Sequence, residues 1–260
     1  MRPAAHVFAA NPEDLAFAST LVGPARASLL RRGVDRRRFD PGRRDRAWLA
    51  ARFGITPETV VLLFAGRVDA TKRAVFTGEL AAALRAEGRP VRLLVAGEGA
   101  DLPQLQSQLG EGLVAAGALD QDTLARVMAS SDLFVFPSLT ETIGNVAIEA
   151  RASGLPVLVA AAGAVRQALG ANGTGGVAVA GEGIRDWLAV LRPLVADAGL
   201  RAQMSVAAAT DSRAEWPDWL TVLREDLLPV WRAEAARVSN VPVAVRANAA
   251  PVAQAQTPLS

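Results

Sequence analysis

The pattern that most constrains the fold begins at residue 60, where short apolar runs start to alternate with stretches of helical periodicity. The predicted strands are residues 60–65, 91–96, 113–116, 133–136, 156–160 and, more weakly, 177–179. The predicted helices between and after them are residues 74–87, 102–109, 122–130, 144–153 and 165–169. Continuously apolar strands that alternate with helices are typical of a parallel sheet covered on both faces. We therefore predict an α/β fold whose ligands bind beyond the carboxyl ends of its strands.

The composition excludes several kinds of site and indicates one candidate residue. The chain has no cysteine and a single histidine, His6, which excludes disulfides and thiolate metal sites and disfavours a histidine metal site. No apolar stretch approaches the ~18 residues of a membrane span, and residues 1–20 lack a secretory signal, so a cytoplasmic location is expected. Lys72 is the sole lysine among 28 basic residues. A compact ammonium binds phosphate well as a point charge. The alternative is that this lysine lies on the surface by chance and has no function.

The segment from Pro137 to Glu149 is the centre of the predicted site. A buried strand ends before it, and a helix starts within it near Gly144. The first N–H groups of a helix have no partner inside the helix, and its dipole is positive there, so a phosphate is the natural guest. Glu141 in the loop and Glu149 inside the helix are eight positions apart, which suits two separate parts of one long ligand.

Three other loops follow predicted strands. Gly66 permits a tight turn, and Arg67 and Lys72 after it would neutralise a diphosphate at the strand end. The run 97–99 (Gly-Glu-Gly) lacks the third glycine of a dinucleotide fingerprint, so we interpret it as a tight turn. The run 120–122 (Asp-Gln-Asp) has the form of a metal-nucleotide motif, but we favour its second aspartate as a helix N-cap.

Residues 26–52 contain ten arginines and three aspartates. We favour a solvated connector face for this segment. The alternative is contact with anionic lipid headgroups or a phosphorylated acceptor, which would make the protein peripheral at the membrane. Nucleic acid is disfavoured because few aromatic residues are interleaved and no recognition module is present.

Taken together, these residues resemble the donor-binding half of family 4 glycosyltransferases, which have the GT-B fold. The resemblance covers about residues 30–230. Its most specific part is the order and spacing of Gly66-Arg67-x4-Lys72 and Glu141-x7-Glu149. The other matching segments are Arg32-Gly33-Val34-Asp35 with Phe39 and Pro41, Gly97-Glu98-Gly99, Gly117, and residues 152–157. The resemblance implies a Rossmann-like parallel sheet with helices on both faces, forming a single GT-B half.

The resemblance also implies roles for the charged residues. Arg67 and Lys72 would grip the diphosphate of a nucleotide sugar, Glu149 would bind the ribose hydroxyls, and Glu141 would contact the transferred sugar. The implied reaction moves a hexose to a lipid or sugar acceptor with retention of anomeric configuration. It needs no cofactor and no metal for chemistry, and the leaving diphosphate helps to deprotonate the acceptor.

Backbone groups complete the implied donor site. The turns at Gly66 and Gly144 would border it. Asn145 and Val146 would meet the diphosphate at the helix start, and Leu119 would hold the base.

The expected domain organisation follows from the same resemblance. Residues 1–50 would be a remnant of an N-terminal domain with a basic linker, and residues 51–212 the donor-binding domain. Residues 213–236 would form a C-terminal helix, and residues 237–260 a disordered tail. Because the acceptor domain looks absent, we expect a fragment, a truncated product or a partner chain that supplies it. The rival hypotheses are a non-catalytic nucleotide-sugar-binding subunit and, disfavoured by the failed fingerprint, an NAD-dependent oxidoreductase.

Overall fold

The computed structural model describes residues 5–170 and 173–239. These residues fall into two compact units, each of which is described by itself. The larger unit runs from Arg31 to Val222 and contains the main sheet. The smaller unit combines the described residues up to Leu30 with those from Leu223 onward. None of the helices in the described ranges is long and apolar enough to cross a membrane.

The elements are given in chain order. The strands are β1 (Val7–Ala9), β2 (Ala27–Leu29), β3 (Val60–Ala65), β4 (Val91–Ala96), β5 (Leu113–Gly117), β6 (Leu133–Phe136), β7 (Val157–Ala160) and β8 (Gly176–Val179). The helices are α1 (Pro12–Val22), α2 (Arg46–Phe53), α3 (Ala74–Ala86), α4 (Leu102–Leu109), α5 (Gln121–Ser130), α6 (Asn145–Ala152), α7 (Ile184–Ala196), α8 (Ala198–Glu215), α9 (Trp219–Val222) and α10 (Leu228–Ser239). Short 3-10 turns include Ala70–Lys72 and Ala164–Leu169, and a π-helical segment covers Leu223–Leu227.

The larger unit is built on a six-stranded parallel sheet with the order β5-β4-β3-β6-β7-β8. Strands β3, β6 and β7 are buried along their whole length, and helices flank the sheet. The predicted bounds of β3, β4 and β6 are confirmed, and those of β5, β7 and β8 shift by one residue. The predicted α/β fold is confirmed by this parallel sheet. Its strands are continuously apolar because both of their faces are covered.

The direction of the strand order changes at β3. The chain builds β3, β4 and β5 outward and then returns to place β6 on the other side of β3. Leu62 pairs with Leu133, and Leu63 with Phe134. A crevice outside the carboxyl ends of the strands forms at such a switch point. The loops that carry the predicted site residues, 66–72 after β3 and 137–144 after β6, leave the sheet there.

Helix α2 was not predicted, since residues 26–52 were interpreted as a solvated connector face. Its N-cap is Asp45, whose side chain accepts a hydrogen bond from Trp48 N at 2.8 Å. It ends at Gly54 in the left-handed conformation (φ 62°). Both signals are present in the sequence, but two of the eight residues of this helix are arginines, Arg46 and Arg52, and they mask its apolar pattern.

The arginine-rich segment is held to the rest of the larger unit. Arg36 donates to two backbone carbonyls near the end of α8, at 2.5 Å each. Arg44 and Arg46 form ion pairs with Asp132 at 3.6 and 3.1 Å, just before β6. These arginines therefore fix the segment in place instead of forming a purely solvated face. Contact with an anionic membrane stays a prediction.

The C-terminal region differs from the single helix predicted over residues 213–236. Helix α8 continues to Glu215, and the chain then breaks before α9 because Pro217 has no N–H to donate. Trp219 and Trp231 are 41% and 56% exposed, so neither is a buried core residue. Helix α10 reaches Ser239, and the predicted tail otherwise falls on residues 240–260, outside the described residues.

The smaller unit contains a two-stranded parallel sheet, with Val7 opposite Ala27 and Ala9 opposite Leu29. Helix α1 packs against both strands. Its N-cap is Asn11, whose side chain accepts a hydrogen bond from Asp14 N. The two strands were not predicted, since three residues are too few to show a pattern.

Candidate functional site

The loop after β3 is joined to the loop after β4 through backbone hydrogen bonds. Gly66 N donates to Ala96 O at 3.0 Å, and Val68 N donates to Glu98 O at 2.9 Å. Gly97 has φ 153°, and a Cβ at this position would overlap the Gly66 carbonyl oxygen. The close approach of two backbones explains why glycine occurs at this position.

We expect Gly97→Ala to lower the free energy of unfolding by about 2–4 kcal/mol, because it adds both a backbone overlap and a strained conformation. Gly88→Ala is the matched control, since Gly88 also has a positive φ (75°) but no atom within 4 Å of the added Cβ. The control should cost about 1 kcal/mol. If urea unfolding showed the same loss of unfolding free energy for both variants, the close packing of the two loops would be contradicted.

Lys72 ends the 3-10 turn Ala70–Lys72, which Asp69 caps by accepting from Lys72 N at 3.2 Å. The Lys72 ammonium donates to Oε1 of Glu141. These two side chains are only 15% and 18% exposed. Arg67 instead pairs with Asp69 (Nη1–Oδ2 3.3 Å) and is 71% exposed. Of the two cations predicted to bind diphosphate, Lys72 is therefore the one largely protected from solvent. Electrostatic interactions are stronger at such a position than in water.

Arg73 turns the chain from this loop into α3. It is the non-glycine residue with a positive φ (54°) among the described residues. Its guanidinium lies 4.1 Å from the ring centroid of Phe76 and donates to Glu182 O at 2.8 Å. These contacts offset a strain of roughly 1–2 kcal/mol for a left-handed residue and fix the end of the Lys72 turn.

The loop after β6 is tied to the Lys72 loop. Ser138 Oγ donates to Glu141 Oε1 at 3.3 Å, and Thr140 Oγ1 donates to Thr71 O at 3.2 Å. The loop ends at Gly144 in the left-handed conformation, and α6 has no side-chain N-cap. The first N–H groups of α6, at Asn145 and Val146, therefore remain available to an anion.

Glu149 lies one turn into α6 and borders the same crevice. Burial raises its pKa from the ordinary value of 4.5 to about 7, and the charge of Arg38 opposes that rise. Within residues 5–170 and 173–239, no basic side chain forms an ion pair with this carboxylate to offset the loss of water. A ligand hydroxyl would supply the missing hydrogen-bond donor.

These elements surround a cavity of about 680 Å³. All nine predicted site residues line it, namely Gly66, Arg67, Lys72, Leu119, Glu141, Gly144, Asn145, Val146 and Glu149. The individual roles of these residues stay predictions. The lining also includes residues that the sequence analysis did not select for the site, among them Arg32, Glu98, Gln121, Leu124 and Phe136. Gln121 and Leu124 lie on α5, which was interpreted only as a capped helix.

The aspartate pair before α5 is a capping structure, but the predicted cap was the wrong residue. Asp120, not Asp122, accepts from the backbone N–H groups at the helix start, at 3.0 and 2.9 Å. Asp122 instead forms ion pairs with Arg38 and Arg43. Over residues 5–170 and 173–239, no group of three or more His, Cys, Asp or Glu side chains is placed to hold a metal.

The family model for glycosyl transferases group 1 matches residues 59–197. This range includes the loops after β3, β4, β5 and β6 and all nine predicted site residues. The chain belongs to the group 1 glycosyl transferases. The resemblance to family 4 glycosyltransferases is thereby confirmed, and the fold matches the donor-binding half of the GT-B architecture.

Two curated relatives of this group 1 chain are named D-inositol 3-phosphate glycosyltransferase. The protein from Geodermatophilus obscurus is 36% identical over 187 residues, which cover 66% of this chain and 41% of the relative. The protein from Rhodococcus erythropolis is 32% identical over 229 residues, covering 84% and 50%. The chain thus spans about half the length of the curated relatives it matches.

A solved structure supports the fold. Anabaena HepE, crystallised with UDP and glucose, superimposes with a TM-score of 0.69 at 17% identity, covering 92% of this chain and 64% of HepE. At that identity the likeness concerns the fold alone.

Proposed function

We propose that this chain binds a nucleoside diphosphate sugar in the cavity between β3 and β6 and serves as the donor side of a hexosyltransferase. The observation that carries the proposal is the meeting of Lys72, Glu141 and the uncapped start of α6 at one switch point. Such a site offers an ammonium and free N–H groups to a phosphate and a carboxylate to sugar hydroxyls. The HepE structure, which holds UDP and glucose, supports the same ligand class.

We assign the following roles within this proposal. Arg67 and Lys72 bind the diphosphate together with the N–H groups of Asn145 and Val146. Glu149 binds the ribose hydroxyls. The two cations also contribute to catalysis, because they stabilise the negative charge that the diphosphate gains as the sugar leaves.

The remaining donor contacts are made at the two ends of the ligand. Glu141 binds hydroxyls of the transferred sugar, and the backbone at Leu119 holds the base. The turns at Gly66 and Gly144 let the backbone approach the ligand closely.

The proposed transfer retains the anomeric configuration and needs no metal for chemistry. The acceptor is a lipid or a sugar-like alcohol, and the leaving diphosphate takes its proton on the same face of the sugar. D-inositol 3-phosphate is the first acceptor to test, because the curated relatives are named for it. We assign this transfer activity to the protein together with the part that completes its acceptor side.

Calorimetric titration with UDP-glucose, GDP-mannose and ADP-glucose tests donor binding. We expect one of the three to bind and the corresponding free sugar to bind far more weakly, because the diphosphate supplies most of the charged contacts. Binding of none of the three would refute the proposal. A turnover assay with the bound donor and D-inositol 3-phosphate then separates a transferase from a binding subunit.

A further inference from the structure

Two of the three cations that line the cavity already have carboxylate partners. Lys72 pairs with Glu141, and Arg67 pairs with Asp69. Arg32 is the third cation. Its Nε is buried without a hydrogen-bond partner, and within the described part of the chain no carboxylate forms an ion pair with its guanidinium. The cavity therefore contains one cation that these residues do not neutralise.

Arg32 extends from a fixed backbone. A Cβ on the next residue, Gly33, would lie 2.7 Å from Cδ2 of Trp219, so the two residues are in close contact. Val34 is buried, and its N–H donates to Pro217 O at 3.0 Å. A side chain on a fixed backbone loses less conformational freedom when it binds a ligand than one on a loose segment.

Among the residues that the structure describes, no ion pair joins Arg32 to Glu149. The cation whose charge lowers the pKa of Glu149 is Arg38. Arg32 lines the cavity, and an arginine without a carboxylate partner is best satisfied by an anionic ligand. The planar fork of a guanidinium matches two oxygens of one phosphate.

We propose that Arg32 is a third diphosphate-binding residue of the donor cavity and donates to phosphate oxygens of the nucleotide. This inference rests on the proposed function, in which a nucleoside diphosphate sugar occupies the cavity. Arg67 and Lys72 must exchange an internal carboxylate for the ligand, whereas Arg32 has none to exchange. The other charged residues of the lining are three carboxylates, Glu98, Glu141 and Glu149, and two cations. An arginine without a carboxylate partner therefore has a large effect on the binding of an anionic ligand.

The test compares Arg32→Ala with the wild-type protein against UDP, UMP and uridine by calorimetry, and repeats the series with GDP, GMP and guanosine. We expect a loss of roughly 10- to 100-fold for the diphosphate, the size of a hydrogen bond to a charged group. The loss should be smaller for the monophosphate and absent for the nucleoside. Arg32→Lys should be intermediate, since it keeps the charge but not the fork.

Arg37→Ala is the matched control, because Arg37 is an exposed neighbour that does not line the cavity. It should leave all affinities unchanged. The ligand-free melting temperature of Arg32→Ala should equal or exceed that of the wild type, because Nε has no partner to lose. A lower melting temperature with the same loss for every ligand would indicate a structural role and overturn the proposal.

Unchanged UDP and GDP affinity in Arg32→Ala would also overturn the inference while leaving the proposed function intact. If the wild-type protein bound none of the nucleotides, the proposed function itself would fail. The two failures are therefore distinguishable in one series of titrations.

Discussion

Replacing Lys72 with alanine is expected to weaken the binding of the donor nucleotide by roughly 100-fold, as measured by calorimetry. Two effects add. The variant loses the shielded ammonium that faces the cavity, and it leaves Glu141 without its partner. A partly buried carboxylate without a counter-ion would repel the incoming diphosphate. The transfer rate should fall further, because the leaving diphosphate gains charge during the reaction.

The double variant Lys72→Ala/Glu141→Gln separates the two effects. It removes the uncompensated carboxylate, so it should recover part of the affinity lost in Lys72→Ala. Lys72→Arg keeps the charge and should lose less than Lys72→Ala. Donor affinity within twofold of wild type in Lys72→Ala would show that the ammonium does not contact the diphosphate.

Replacing Glu149 with glutamine should weaken nucleotide binding by roughly 10-fold at pH 8, the loss of a hydrogen bond to a charged acceptor. The wild-type affinity should rise as the pH increases through about 7, where Glu149 ionises and becomes a better acceptor for ribose hydroxyls. The phosphates also titrate near this pH, but they do so equally in both proteins. The ratio of wild-type to variant affinity therefore isolates Glu149, and a ratio that does not change with pH would contradict its contact with the ribose.

The same substitution should stabilise the ligand-free protein. The pKa of Glu149 is higher in the folded state than in the unfolded state, so the protonated group favours folding at low pH, and that contribution is lost between about pH 4.5 and 7. Glutamine cannot ionise, so Glu149→Gln should exceed the wild type by about 1–3 kcal/mol in urea unfolding at pH 8 and by much less at pH 4.5. Glu111→Gln, at an exposed position outside the cavity, should change neither quantity.

The sheet and the site loops could be predicted because their signals are local. The apolar runs of β3, β4 and β6 are uninterrupted, which fixes both the element type and its bounds. The charged residues of the site lie in the loops that follow these strands, as Arg67 and Glu141 do, and the carboxyl ends of parallel strands meet at one edge. The resemblance to a known family then supplied the order and spacing that link the two loops.

The interactions across the cavity could not be predicted because they depend on strand order. Lys72 meets Glu141 only because β6 returns to the side of β3, and no local pattern encodes that return. Arg32 precedes the first strand of the main sheet, so its place in the cavity depends on the packing of Gly33 against Trp219. The arginine-rich segment was misjudged for a related reason, since its partner Asp132 lies far along the sequence.

The most direct test of the donor site uses the single lysine of the chain. Labelling the protein with ¹⁵N-lysine, with a lysine-free purification tag, gives one side-chain ammonium signal, which reports on Lys72 alone. Titration with UDP or GDP should shift this signal, and titration with the corresponding nucleoside should not, because the ammonium moves from Glu141 to the diphosphate. A signal that stays unchanged while calorimetry records nucleotide binding would contradict the account.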